Sequence, residues 1–249
     1  MIYLSMKTLI NSFHHAVSAI FGNLVATAED RKIGEVFDTL LYVFRMLGAL
    51  LSSCCAFLFM HFIDLYAVGF TEGVYIQPTL ACFIVAYVAL FSVRVVINFA
   101  SHSCGLFRDT CKATLTCGGI SIIACVLGAL LGGMPYVMVG VLLYDFSSMC
   151  VLLYAFVKKV SWFKFRTRWL ARLVVMILLP TASWWVYKSN VFFIGGWLGW
   201  FAMAVVYAVA VAGCLMVYTL LFDRKPFFML LGYVKAIFLR SKRKIQTQG

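Results

Sequence analysis

FGNLVATAEDRKIGEVFDTLLYVFRML, residues 21–47, sets the charged run AEDRKIGEVFD between two strongly apolar runs in a chain that is otherwise short of charge. Its reading decides the fold. Hydrophobic residues make up 64% of the 249-residue chain and charged residues 12%, and the mean hydropathy is +0.98, beyond the roughly half-apolar usage of soluble domains. Apolar runs of about 17–25 residues cross a hydrocarbon core as helices, which satisfy their own backbone hydrogen bonds there. Short alternating strands of the membrane-barrel kind are missing. The charged run is therefore a connection between two membrane spans, with Gly22 and Asn23 closing one helix and Glu35 to Asp38 opening the next.

The same reasoning carried along the chain predicts an all-α, polytopic transmembrane bundle of about seven spans. They fall at about 5–25, 38–63, 78–100, 113–132, 135–157, 170–188 and 192–222, followed by a basic tail at 225–249. Pro78 and Pro135 stand at helix starts, where a missing N–H costs nothing, and Pro226 follows the last span. Pro180 falls inside the sixth span and is expected to kink it. Glycines gather in the spans (Gly118, Gly119, Gly128, Gly132, Gly133, Gly195, Gly196), where small residues let helices approach closely.

The net charge of +12 is concentrated in alternate connections. Arg31 and Lys32 follow the first span, Arg108 and Lys112 the third, and Lys158, Lys159, Lys164, Arg166, Arg168 and Arg172 the fifth; the tail adds seven more, Arg224 to Lys244. The connection 64–77 and the GGMP turn carry none, and the sixth connection has only Lys188. The positive-inside rule then puts the tail in the cytoplasm and Met1 outside, with no nucleic-acid partner implied. MIYLSMKTLINSFHH lacks the pattern of a cleaved leader, and Asn11, Ser12, His14 and His15 make the first span weakly apolar. These features lead us to expect the C-terminal half of a larger transporter. The basic and aromatic run 158–172 and the pair Trp162 and Trp169 are expected at the headgroup level, touching membrane lipids. Trp184, Trp185 and Tyr187 are expected at the opposite boundary.

The series SAIFGNLVATAEDRKIGEVFDTLLYVFRML (18–47), FIDLYAVGFTEGVYIQPTLACFIVAYVALFSVRVVINFASHSCGLFRDTCKATL (62–115) and LGGMPYVMVGVLLYDFSSMCVLLYAFVKKVSWFKF (131–165) resembles the polysaccharide flippases. These are the O-antigen and capsule repeat-unit exporters of the MOP superfamily, which also holds the MATE exporters and the lipid II flippase. The resemblance implies a two-lobed bundle of 12–14 helices around a central cavity, with this chain as the C-terminal lobe. It further implies alternating access that moves an undecaprenyl-pyrophosphate-linked glycan outward across the cell inner membrane, with a missing N-terminal half or a polysaccharide polymerase as partner. Asp145 stands where that family more often has a small or hydroxyl residue.

Few residues are able to carry chemistry. Asp145, about ten residues past Pro135, lies ~15 Å deep, too far for its short side chain to reach water. Such a group costs several kcal/mol unless paired, protonated or hydrated. With Ser148 on the same face it reads as an ion-coupling carboxylate, or as a protonated aspartate bonded to a neighbouring helix. Arg45 and Arg94 each lie ~10 Å inside their spans. They read as a pyrophosphate clamp, through the bidentate fork of the guanidinium, or as side chains snorkelling to the interface. Adjacent His14 and His15 point about 100° apart, so at most one faces a cavity, and a bond between helices is the competing reading. Nine cysteines match no zinc spacing, and no metal or cofactor is expected. Without a phosphate loop, nucleophile triad or paired carboxylates, an enzyme is not expected. A MATE-like exporter and a non-transporting scaffold or truncated remnant are the competing functions.

Overall fold

The computed structural model describes residues 2–67, 78–163, 168–188 and 196–222, with positions 224, 226–229 and 232 of the tail. The described residues form seven helices: α1 (Ile2–Thr27), α2 (Asp30–Ala67), α3 (Pro78–Ser103), α4 (Phe107–Gly132), α5 (Met134–Lys159), α6 (Arg168–Lys188) and α7 (Trp197–Phe222). Five stretches are long and apolar enough to cross a membrane: Asp30–Phe59, Pro78–Ser103, Phe107–Gly132, Pro135–Lys159 and Trp197–Phe222. The chain is a membrane-embedded all-α bundle. Among the described residues, α1 contributes no such stretch and α6 contributes the shorter apolar segment Val174–Val186.

The opening stretch is corrected by the structure. Gly22 and Asn23 lie inside α1, which runs on to Thr27, and only Ala28 and Glu29 separate it from α2. From Asp30 onward the charged run is the opening of α2, so the connection shrinks to Ala28 and Glu29. Asp30 sits in the first turn, where the helix dipole favours an acid. Arg31 and Glu35 pair one turn apart at 3.3 Å, on a solvated face where such pairs contribute little. The turns at 104–106 and 133 use Gly105 and Gly133 at φ 74°, a left-handed conformation that glycine adopts without a Cβ penalty. The sixth connection, including Gly195, and most of the basic tail lie outside the described residues.

Helix α3 is central and packs against α2, α5 and α1; α2 also carries α6 and α7, and α4 rests on α5. Val88, Val96, Ile97 and Ala100 of α3 are at most 1% exposed. Close approach is set by particular glycines. A Cβ on Gly48 would lie 2.7 Å from Ser92 Cβ, so α2 and α3 touch there backbone to side chain. A Cβ on Gly140 would lie 2.7 Å from the backbone nitrogen of Cys125, and Ser121 Oγ donates to Gly140 O at 2.7 Å. Those contacts join α4 to α5 along much of their length. Gly118 and Gly119, in contrast, have open space where a Cβ would be. The rest of α4, including Leu115, Ile122 and Leu130, is exposed, as a lipid-facing helix should be.

One end of the bundle gathers the basic connections. Ser161 Oγ donates to Asp30 Oδ2 at 2.6 Å, and Lys159 pairs with Asp109 at 2.6 Å, which brings the ends of α5, the start of α2 and the start of α4 together. Phe21, Phe37, Phe99, Phe156, Trp162 and Phe163 pack there ring against ring, with Phe37 and Trp162 centroids 5.4 Å apart. Trp162 packs its ring into this end of the bundle and stays partly exposed; the side chain of Trp169 lies outside the described residues. Tyr42 and Thr219 share a 2.7 Å hydrogen bond that ties α7 to α2. At the other end Trp185 is exposed. Pro180 stands within α6, and its neighbours Thr181 and Ser183 turn their hydroxyls to the carbonyls of Leu178 and Leu179 at 2.8 and 2.7 Å.

Candidate functional site: an ion pair in a polar cavity

A cavity of about 380 Å³ opens between α1, α3 and α5. From α1 it takes Lys7, Asn11 and His14, spaced four and three residues apart, which places them on one helical face. Arg94 and Asn98, again one turn apart, come from α3, and Tyr144 and Asp145 from α5. Part of the weak apolarity of α1 now has a cause: Lys7, Asn11 and His14 form a stripe turned toward the cavity, while Ser12 and His15 are exposed and Ile10 and Phe21 are buried in the core.

Asp145, 1% exposed, is among the most deeply buried side chains of the chain. Arg94 Nη1 donates to its Oδ1 in a direct ion pair between α3 and α5. Helix geometry accounts for the match in depth. Arg94 lies nine residues before the end of α3, and its long side chain leans toward that helix's N-terminus, the direction in which Asp145 sits on α5. The guanidinium also lies over the Tyr144 ring, 4.5 Å from its centroid, so its flat face is covered as well as its edge. Arg94 Cζ and Lys7 Nζ both approach Phe91, at 6.0 and 5.9 Å from the ring centroid. Among the described residues, Asp145 Oδ2 and Arg94 Nε are buried without a hydrogen-bond partner.

The arrangement sorts the residues singled out from the sequence. Asp145, Arg94 and His14 meet in one cavity; His15 is exposed beside His14, ring centroids 4.9 Å apart, and does not line it. Arg45 is 3% exposed and stays outside the cavity, because α2 packs on the α3 face that carries Ser92. The expected two-arginine clamp is therefore not assembled, and the charge of Arg94 is matched by a carboxylate. Ser148 is buried one turn along α5 and does not line the cavity, which leaves Asp145 as the acidic group there. Lys7, Asn98 and Tyr144 were missed by the sequence reading. The spacing of Lys7, Asn11 and His14 was the available signal for the first of them.

A second, apolar pocket of about 540 Å³ lies between α2, α3, α5 and α6, with Leu90, Val93, Phe146 and Pro180 in its wall. Leu90 and Val93 each stand next in sequence to a residue of the polar cavity, Phe91 and Arg94, so the seam of α3 and α5 divides a polar chamber from an apolar one. No group of three or more metal-ligating side chains occurs among the described residues. Chemically, the polar cavity can hold a hydrophilic, charged group inside an apolar bundle and supply it with donors, an acceptor and aromatic faces. Compared with family models, curated proteins and solved structures, the chain matches none of them.

Proposed function

We propose that the chain is the transport lobe of a flippase that moves a lipid carrying a hydrophilic head, with the lipid-linked oligosaccharide repeat units of surface polysaccharides as its substrate class. The observation that carries this reading is the Arg94–Asp145 pair, set among Lys7, Asn11, His14 and Asn98 in a cavity between membrane helices. Burying two charges is repaid by their attraction only when geometry and further hydrogen bonds are good, so a half-satisfied pair is poor evidence of a purely structural role. Ionisable residues inside a membrane mark pathways for polar cargo. A cavity with two cationic side chains against one carboxylate favours an anionic head and disfavours a MATE-like exporter of cations. Sugar hydroxyls and a phosphate linkage fit the amide, aromatic and cationic groups that line it, while the lipid tail stays in the bilayer.

In this reading the protein resides in the cell inner membrane with its basic end in the cytoplasm, following the distribution of Lys and Arg. It performs no covalent chemistry and needs no cofactor. A complementary helical lobe or a polysaccharide polymerase is the expected protein partner. The test is complementation of a flippase-deficient strain by the chain, alone and joined to whatever its gene encodes ahead of it. Restored surface polysaccharide, lost again in Arg94→Gln, is the expected outcome; failure of both forms to restore it refutes the assignment.

A further inference from the structure

The polar cavity holds an imbalance. Lys7 and Arg94 approach the same aromatic ring, Phe91, at 5.9 and 6.0 Å from its centroid, and Asp145 is set against both. One oxygen of Asp145 is engaged by Arg94 while the other, Oδ2, is buried without a partner among the described residues. Space of about 380 Å³ remains beside them, edged by the amides of Asn11 and Asn98. Two cations, one carboxylate bonded at one oxygen, and unfilled volume describe an anion site in which a resident side chain already occupies part of the place.

We infer that the cavity is a phosphate-group site and that Asp145 is a tethered competitor for it. The ligand's oxyanion engages Arg94 and Lys7 together, and Asp145 supplies the counter-charge when no ligand is bound. A tetrahedral oxyanion suits the positions better than a carboxylate, because it presents oxygens in more than two directions. It meets the guanidinium on one side and the ammonium and amides on the other, whereas one guanidinium takes both oxygens of a carboxylate. Without Asp145 the cavity would hold two bare cations within the membrane, which a low-dielectric setting strongly disfavours. With it, binding is weakened and release is eased. Lys7 becomes the residue that separates a phosphate-bearing ligand from a neutral one. The inference rests on the transport reading for the ligand's route into the cavity, and on the cavity's own charges for its chemistry.

The test uses the full chain purified in a non-ionic maltoside, titrated with inorganic pyrophosphate in one arm and with phosphatidic acid in mixed micelles in the other. Wild type is expected to bind at least one probe, Asp145→Asn to bind it about tenfold tighter once a like charge a few ångströms away is removed, and Lys7→Gln about tenfold weaker. Binding of pyrophosphate alone identifies a soluble phosphate, binding of phosphatidic acid alone a lipid-borne one, and both outcomes support the site. A folded Asp145→Asn that binds no tighter, or neither probe binding to wild type and Asp145→Asn, overturns it. If Asp145→Asn does not fold, Lys7→Gln decides: weakened binding supports the site and unchanged affinity overturns it. Failed complementation with this binding pattern intact would remove the flippase and leave the phosphate site; complementation without binding would do the reverse.

Discussion

Replacing Asp145 with Leu leaves the Arg94 guanidinium buried and bare, and a guanidinium cannot escape by losing a proton. The two side chains are 16% and 2% exposed, so little water is available to replace the lost partner. At an effective dielectric of ~20 and a separation of ~4 Å the pair's attraction is ~4 kcal/mol, and stranding one member of a buried pair typically costs about 3–5 kcal/mol. Removing both charges, in Arg94→Met/Asp145→Leu, abolishes the attraction and the stranding together. The double variant is therefore expected to be more stable than Asp145→Leu alone, by about 2 kcal/mol or more. For a chain of this length that is a rise of about 4–8 °C in melting temperature, at roughly 2–4 °C per kcal/mol. The assay is size-exclusion recovery after heating in detergent, for wild type, both single variants and the double. The magnitude discriminates, because neutral hydrogen bonds between membrane helices average about 0.6 kcal/mol. Additive losses, with the double the least stable of the four, would refute the claim that a charged pair bridges α3 and α5.

Glycines at helix contacts and in open space are expected to respond with opposite sign. Gly140→Ala pushes a methyl into the α4 backbone at Cys125, which cannot move aside as a side chain would, and should cost about 1–3 kcal/mol; Gly118→Ala meets nothing and should gain about 0.5–1 kcal/mol from helix propensity. Thermal stability of the two variants checks both, and a stable Gly140→Ala would mean that α4 does not lie where the structure puts it. In the turn after α3, burial pushes the Cys104 thiol up to about 11. Its reactive thiolate is thus scarce below that pH, about one in a thousand at pH 8, and grows about tenfold per unit as pH rises toward 11. Maleimide or iodoacetamide labelling of a chain retaining only Cys104 and Cys111 should therefore mark the exposed Cys111 first at pH 7. Labelling at equal rates would contradict the burial of Cys104.

The helical class and the main spans were legible because a hydrocarbon core imposes length and apolarity on any helix that crosses it, and α3, α5 and α7 obey that rule without exception. Pro135 at the start of α5 and the glycine turn before it were readable for local backbone reasons. The charged run from Asp30 to Asp38 was misread because charge was taken to mean connection; a helix can begin in charged sequence on the strength of its own hydrogen bonds. At the site, Asp145 and Arg94 stood out individually through the cost of charge in lipid. Their pairing was hidden, since residues 51 positions apart meet only through the packing of α3 on α5. Arg45 carried the same signal as Arg94 and proved to lie outside the cavity, because depth along a helix says nothing about which way a side chain faces. Lys7 went unread among the weaknesses of α1, where its register with Asn11 and His14 was the useful fact.

That register bears on how the protein is made. Lys7, Asn11 and His14 find their surroundings only in a chamber whose other walls are α3 and α5. Ribosomes deliver α1 before α3 and α5, and at about 5–20 residues per second Asp145 emerges roughly 7–28 s after Lys7. Through that interval the polar stripe of α1 lacks the α3 and α5 walls that surround it in the finished bundle, which disfavours its seating in the lipid interior. Final seating of α1 is then a late step in biogenesis. The residues proposed to recognise the cargo also make α1 wait for α5 before it can settle.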